Sequence, residues 1–253
     1  MDESFKIKII GSGNTATVLG RLCLSKGIAI QSISGRNAAA SSQLAKEWNC
    51  KLSAIEDIAD DGGICLICVS DDSIYEVAEK LQIQQSIVAH TAASSDISIL
   101  PFNNCGILYP LQSLRKERVA IPVIPFLVEA NNATTENTLM HLASLLSDQV
   151  LKSTFQDRVR LHLAAVFVSN FTNHLYATAH AFCAAENISY TILGPLLKEV
   201  AERATMQDPR TMQTGPAIRG DEKTIQRHLS ILEAYPDWLM MYKMMTDSIQ
   251  NSK

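Results

Sequence analysis

The sequence predicts an α/β domain, a mostly parallel sheet with helices on both faces, followed by an all-α domain. Three observations carry this. Short apolar runs alternate with helix-like segments through the first half, and a glycine-rich turn closes the first of those runs. From about residue 153 onward, long apolar-periodic stretches follow one another with no strand signal between them. Strands spaced by crossover helices imply βαβ units, so residues 1–152 form one domain and 153–253 a second, with the boundary near Lys152.

In chain order, the strand candidates are Phe5–Ile10, Ile28–Ser34, Ile64–Val69, Ile87–His90 and Cys105–Tyr109. Helical periodicity fills Thr15–Lys26, Ala38–Trp48 and Ile74–Leu81 between them. Pro122 and Pro125 flank an extended piece, Val123–Glu129, and suit an edge strand because proline cannot donate to a ladder. A helix over Thr134–Leu146 and a short piece, Gln149–Leu151, complete this half. The second half reads as helices at Arg158–Ala185, Thr191–Thr205, Lys223–Glu233 and Asp237–Ile249, interrupted by turn chemistry at 208–216.

Composition narrows the function. Hydrophobic residues make up 47% and charged residues 19% of the 253, enough for a sizeable core. A formal net charge of −4 offers no dense positive field for nucleic acid or an anionic membrane surface. Met1–Ser4 runs straight into a strand with no basic leader, and the apolar stretch Leu161–Val168 is too short to span a bilayer, so a cytoplasmic location is expected. Cys65 and Cys68 have C-x-x-C spacing, but inside an apolar strand, where side chains three apart point to opposite faces. All six cysteines are expected to be reduced, and no metal site is expected.

Gly11-Ser12-Gly13-Asn14-Thr15-Ala16 follows the first strand directly and matches G-x-G-x-x-A, the Rossmann dinucleotide fingerprint. Gly11 permits the tight turn, Gly13 lets the backbone approach a pyrophosphate, and Ala16 lets the helix pack on the sheet. The helix N-terminus turns its unpaired N–H groups toward the anion. Where an NAD site carries an acid for the ribose hydroxyls, this chain has Ile33-Ser34-Gly35-Arg36-Asn37, with no acid from Ser4 through Ala45. Ser34 and the Arg36 fork suit a 2′-phosphate, so the expected cofactor is NADP(H). The competing reading is a solvated Arg36, with Ser34 or Asn37 capping the next helix.

Ligands of open parallel sheets bind beyond the carboxyl ends of the strands. That selects Val69-Ser70-Asp71-Asp72, His90-Thr91 and Tyr109 through Ser113. Val69, Ser70, His90 and Thr91 are candidate cofactor neighbours, and Tyr109 and Gln112 candidate substrate groups. The plainer alternatives are a cap by Asp72 or Ser73, with Glu76 completing a capping box, and a simple strand end at His90. On a helical wheel, Arg158, His162, Ser169, Asn173, Tyr176 and His180 share a narrow polar sector opposite Leu161, Ala164, Ala165, Val168, Phe171 and Leu175. Such an uncharged polar face suits a polar cavity or subunit contact, or else a buried helix whose polar groups satisfy one another. His162 is the candidate general acid by type, and Asn173 a candidate for orienting substrate. In the loop from Gln213 to Asp221, Gln213 and Arg219 are further substrate candidates, Arg219 with an ion pair to Asp221 as its alternative; Asp221 reads as a helix cap.

The chain resembles a bacterial family of assigned NADP oxidoreductases with a Rossmann-like amino half and a helical carboxyl half of uncharacterised function. The resemblance rests on Gly11–Ala16, Cys68 through Ile74, His90-Thr91, Tyr109 through Gln112, Leu161 through Phe167 with Asn170 through His174, and Gln213 through Ala217. It departs after His90-Thr91, where Ala92-Ala93-Ser94 replaces the family's Ser-Gly. More distantly, the layout is similar to pyrroline-5-carboxylate reductase and the deazaflavin-dependent NADP oxidoreductases, which commonly dimerise through the helical domain. The resemblance implies fold, cofactor class and a homodimer, and names no substrate. The expected function is NADP(H)-dependent reduction of a small carbonyl or imine; the alternatives are a non-catalytic NADP(H) sensor and a structural dimer.

Overall fold

The computed structural model describes residues 5–252; the expectation about Met1–Ser4 falls on residues outside them. The chain divides into two compact units, Met1–Asn170 and Phe171–Lys253. In the first, β1 (Ile7–Ile10), α1 (Asn14–Ser25), β2 (Ile30–Ser34), α2 (Ala38–Glu47) and β3 (Lys51–Leu52) lead to β4 (Ile64–Ile67). Then come α3 (Ile74–Glu79), β5 (Ile87–His90), β6 (Cys105–Pro110), β7 (Phe126–Ala130), α4 (Ala133–Leu146), β8 (Val150–Lys152) and α5 (Phe155–Ala165).

The eight strands lie in the order β3-β2-β1-β4-β5-β6-β7-β8, with only β7 antiparallel to its neighbour β6. The chain winds outward from β1 through β2 to β3, then returns to place β4 on the other side of β1. That reversal opens a crevice at the carboxyl ends of β1 and β4. Alternation along the strands fills a core on each face. Ile7, Ile9, Ile64 and Leu66 pack with α1, α2 and α4, whereas Ile10, Cys65 and Ile67 pack with α3. Cys65 and Cys68 accordingly fall in different cores, and burial pushes both thiols up to about 12.

The proline-flanked segment is not the edge strand expected of it. β7 is paired on both sides, with β6 and β8. Pro122 and Pro125 precede its first residue and so remove no ladder donor. The two-residue edge strand β3 carries no periodic pattern and went unread.

The last strand ends at Lys152, where the sequence puts the change from sheet to helices; the compact first unit runs on through α5 to Asn170. The stretch read as one helix from Arg158 contains a π-helical turn at Val166–Phe171. A π turn holds more residues than an α turn, so a wheel drawn at 3.6 per turn loses phase beyond Val166.

The second unit comprises α6 (Thr172–Ala185), α7 (Gly194–Met206), α8 (Pro216–Arg219), α9 (Glu222–Leu232) and α10 (Pro236–Gln250). Asp221 caps α9 as expected, accepting from Thr224 N at 3.1 Å. Phe182, Tyr235 and Trp238 form an aromatic cluster, the last two stacked at 4.6 Å. Among its described residues only Cys183, Ala217, Ile225 and Thr246 are buried. Large apolar side chains stay outside, Ile192 at 74% and Met206 at 77% exposure among them.

Candidate functional site

A cleft of about 710 Å³ occupies the crevice, floored by Gly11–Thr15 and walled by Ser34–Asn37, Ser53–Glu56 and Cys68–Ser70. The sequence explains its shape. Gly11 leaves β1 at φ +125°, and a Cβ there would lie 2.2 Å from the Cys68 carbonyl oxygen. Only glycine meets both conditions. At Gly13 a Cβ would meet no atom within 4 Å, so its missing side chain leaves open space over the floor. Gly13 is also the N-cap of α1, which has neither a side-chain cap nor an acid in its first turn. By contrast Asn37, Asn132 and Thr154 cap α2, α4 and α5. The uncapped amides of α1 meet the cleft as an anion-binding terminus.

Along the wall, Gly11 N donates to Ser34 O at 2.8 Å, fixing the end of β2 beside the turn. Asn37 takes the capping role for α2, accepting from Ala40 N at 3.0 Å. That leaves the exposed Arg36 as a cation on the cleft wall. Lys80 lines the same wall, 2.7 Å from Glu76, and was not anticipated. Its place is set by α3, whose start also differs from expectation. Ser73 makes no cap and instead meets Ser70 Oγ at 3.0 Å, so no capping box with Glu76 forms. Ser12, Asn14, Thr15, Val69 and Ser70 all line the cleft, whereas Ala16 is buried beneath α1.

A second polar group lies further along the same carboxyl edge of the sheet. Tyr109, on β6, meets His162 Nδ1 with its hydroxyl at 3.0 Å. Burial, then the negative charge of Asp71, raises the phenol above its usual range, and Arg158 partly offsets them. His90 and Thr91 end β5 with their side chains turned into protein, and neither lines the cleft. Thr91 Oγ1 reaches Ile67 O at 3.4 Å, and Ala92 N donates to His90 Nδ1 at 3.2 Å. Gln112 spends its amide on its own loop, donating to Val123 O at 3.0 Å and accepting from Ser113 N at 2.9 Å. Asn173, Gln213 and Arg219 lie exposed on the second unit.

His90 carries a prediction about acid. Burial first, and then the charge of Arg158, push its pKa down to about 4 from 6.5. Between those values the unfolded chain takes up a proton that the folded chain refuses. The neutral histidine's contribution is therefore complete above about pH 6.5 and drains away as pH falls toward 4. At 1.36 kcal/mol per unit, the loss is about 3 kcal/mol. Urea denaturation at pH 7 and pH 4.5 should show most of it in the wild type and little in His90→Gln. Equal losses in both proteins would place the acid sensitivity elsewhere.

Comparison with known proteins bears on the whole chain. Residues 6–94 match the family described as NADP oxidoreductase, coenzyme F420-dependent. Residues 124–249 match a domain of unknown function, DUF2520. A protein from Bacteroides fragilis assigned as an NADP oxidoreductase is 31% identical, with a TM-score of 0.88 over 98% of this chain and 99% of that one. Two more distant structures share the fold. The imine reductase of Myxococcus stipitatus, solved with NADP+, is 15% identical with a TM-score of 0.64, over 97% of this chain and 92% of that one. The 1-pyrroline-5-carboxylate reductase of Streptococcus pyogenes is 13% identical with a TM-score of 0.64, over 97% of this chain and 98% of that one. No curated protein sequence matches the chain.

Proposed function

Since the chain belongs to the bacterial NADP oxidoreductase family in which these two domains are joined, we propose that it holds NADP(H) in the β1/β4 crevice and reduces a small carbonyl or imine. The carrying observation is the pairing of an uncapped α1 over the open Gly13 floor with Arg36 on a wall that bears no acid at the end of β2. The amides of residues 12–16 receive the pyrophosphate, and Ser34 with Arg36 receives the 2′-phosphate. Val69 and Ser70, which line the cleft, flank the nicotinamide end. Bound there, the dihydronicotinamide supplies hydride.

The protein's own contribution is the proton. Tyr109 and His162 form a hydrogen-bonded pair in which the phenol can donate to a developing alkoxide or amine while the imidazole replenishes it. Two further readings complete the proposal. The helical half pairs with a second copy, since Leu163 and Val168 on the first unit and Ile192, Met206 and Met240 on the second stand exposed. The protein works in the cytoplasm, in keeping with six free cysteines and with no described helix long and apolar enough to cross a membrane.

Fluorescence titration tests the cofactor reading. NADPH should bind more tightly than NADH, and Arg36→Ala should weaken NADPH by about 10- to 100-fold while leaving NADH nearly unchanged, because the lost bonds are charge-assisted and specific to the phosphate. Equal affinity for both nucleotides in the wild type would remove the role given to Arg36. Following NADPH oxidation over a panel of small carbonyls and cyclic imines then separates a reductase from a nucleotide sensor.

A further inference from the structure

Among the described residues, Arg158 is the largest side chain to be completely buried. Its guanidinium is divided among three partners on two segments: Nε donates to Ala93 O at 3.0 Å, Nη2 donates to Ser95 O at 2.9 Å, and Nη1 pairs with Glu129. The two carbonyls belong to the loop that follows β5, Glu129 to β7, and Arg158 itself to the second turn of α5. That helix is fixed at its start by a reciprocal cap, Asp157 N to Thr154 Oγ1 at 3.2 Å and Thr154 N to Asp157 Oδ2 at 3.1 Å. One turn on, about 6 Å along the axis and on the same face, stands His162. Ile107, Tyr109, Leu127 and Glu129 share one face of the sheet, because Ile107 is paired with Glu129 and Tyr109 with Leu127.

We propose that Arg158, clamped by Glu129, is the positioning residue that holds His162 against Tyr109 and the 93–95 loop beside them. Three tethers on one rigid fork, two to the 93–95 loop and one to β7, fix the rotation and height of α5 to within a hydrogen bond's tolerance. A lysine has one nitrogen and cannot satisfy three diverging acceptors. A buried arginine with its charge balanced by a carboxylate is a costly device to build for packing alone, since an apolar side chain of similar volume fills such a space as well or better. Arg158 does not line the cleft; it acts by positioning His162 and, through its charge, on the Tyr109 phenol. The catalytic importance of the clamp rests on the reading of Tyr109–His162 as the proton source; the clamp itself does not.

The test uses the full chain with its histidine rings labelled with nitrogen-15, with His162 identified by the signals lost in His162→Asn. In Arg158→Met, the His162 ring resonances should shift as the Tyr109 bond loosens. His141, which faces Phe5 on α4, should keep its signals, and NADPH affinity should stay within twofold. Arg158→Lys should recover little. Should Arg158→Met fail to fold, Glu129→Gln makes the same test, since it keeps an acceptor oxygen and removes the balancing charge. A folded variant with unmoved His162 signals overturns the proposal. If His162 moves while Tyr109→Phe reduces substrate at the wild-type rate, the clamp stands and only the proton role falls.

Discussion

Gly11→Ala is expected to cost about 2–6 kcal/mol of stability, the sum of forcing a side chain into a strained backbone conformation and of overpacking it against its surroundings. The structure supplies both causes: φ of +125°, and a Cβ position 2.2 Å from a carbonyl oxygen of β4's continuation. Backbone cannot swing aside as a lysine tip can, so β1 and β4 would have to part. Gly13→Ala should behave in the opposite way. Its φ of −82° is open to any residue and a Cβ there meets nothing, so stability should change by about 1 kcal/mol or less, the difference between glycine and alanine as an N-cap. NADPH affinity should nonetheless fall by about 10- to 100-fold, the effect of pressing one methyl into a close phosphate contact. Chemical denaturation and NADPH titration on both variants read the two effects separately. If Gly13→Ala bound NADPH as the wild type does, the pyrophosphate would have to lie elsewhere.

That contrast also marks what was legible in the sequence. The fingerprint could be read because its constraints are local: a turn, an approach distance and a helix start lie within six consecutive residues. Arg36 could be read because an absent acid is as visible as a present one. Asn37 as cap and Arg36 on the cleft wall turned out to coexist, where the sequence posed them as rivals.

Pairs that meet only in the fold were less accessible. Tyr109 and His162 were each singled out, one for substrate and one for proton transfer, yet nothing in a separation of 53 residues announces a bond between them. Arg158 was seen to share a helix face with His162, and that face was read as polar lining, a subunit contact or a buried helix with mutually satisfied polar groups; for Arg158 the last reading holds. Its burial depends on Glu129 arriving from β7, which an edge-strand reading of that segment obscured. Lys80 was not singled out, and its neighbour Glu76 was weighed only as part of a capping box that does not form. Of the apolar wheel positions, Val168 stands 76% exposed.

The opposite edge of the sheet offers the clearest separation of stability from function. Lys8 lies in the middle of β1 with its side chain only 1% exposed, and its ammonium pairs with Asp61, just before β4. A buried ammonium is tolerable only while that carboxylate is present. Asp61→Ala should therefore destabilise the protein by about 3–5 kcal/mol, the cost of stranding a buried charge. Lys8→Met should cost about 1 kcal/mol or less, because an apolar chain of similar length fills the buried space and the Asp61 left behind is 30% exposed and keeps Lys6 at 3.6 Å. The double variant should then recover most of what Asp61→Ala loses, a coupling that a double-mutant cycle in urea measures directly. Asp61 stands by the amino ends of β1 and β4, and the nucleotide cleft by their carboxyl ends, so NADPH affinity should be unchanged in every folded member of the cycle. Were Lys8→Met as damaging as Asp61→Ala, the ion pair would be a net source of stability here, and the desolvation of Lys8 would have to be far cheaper than its burial implies.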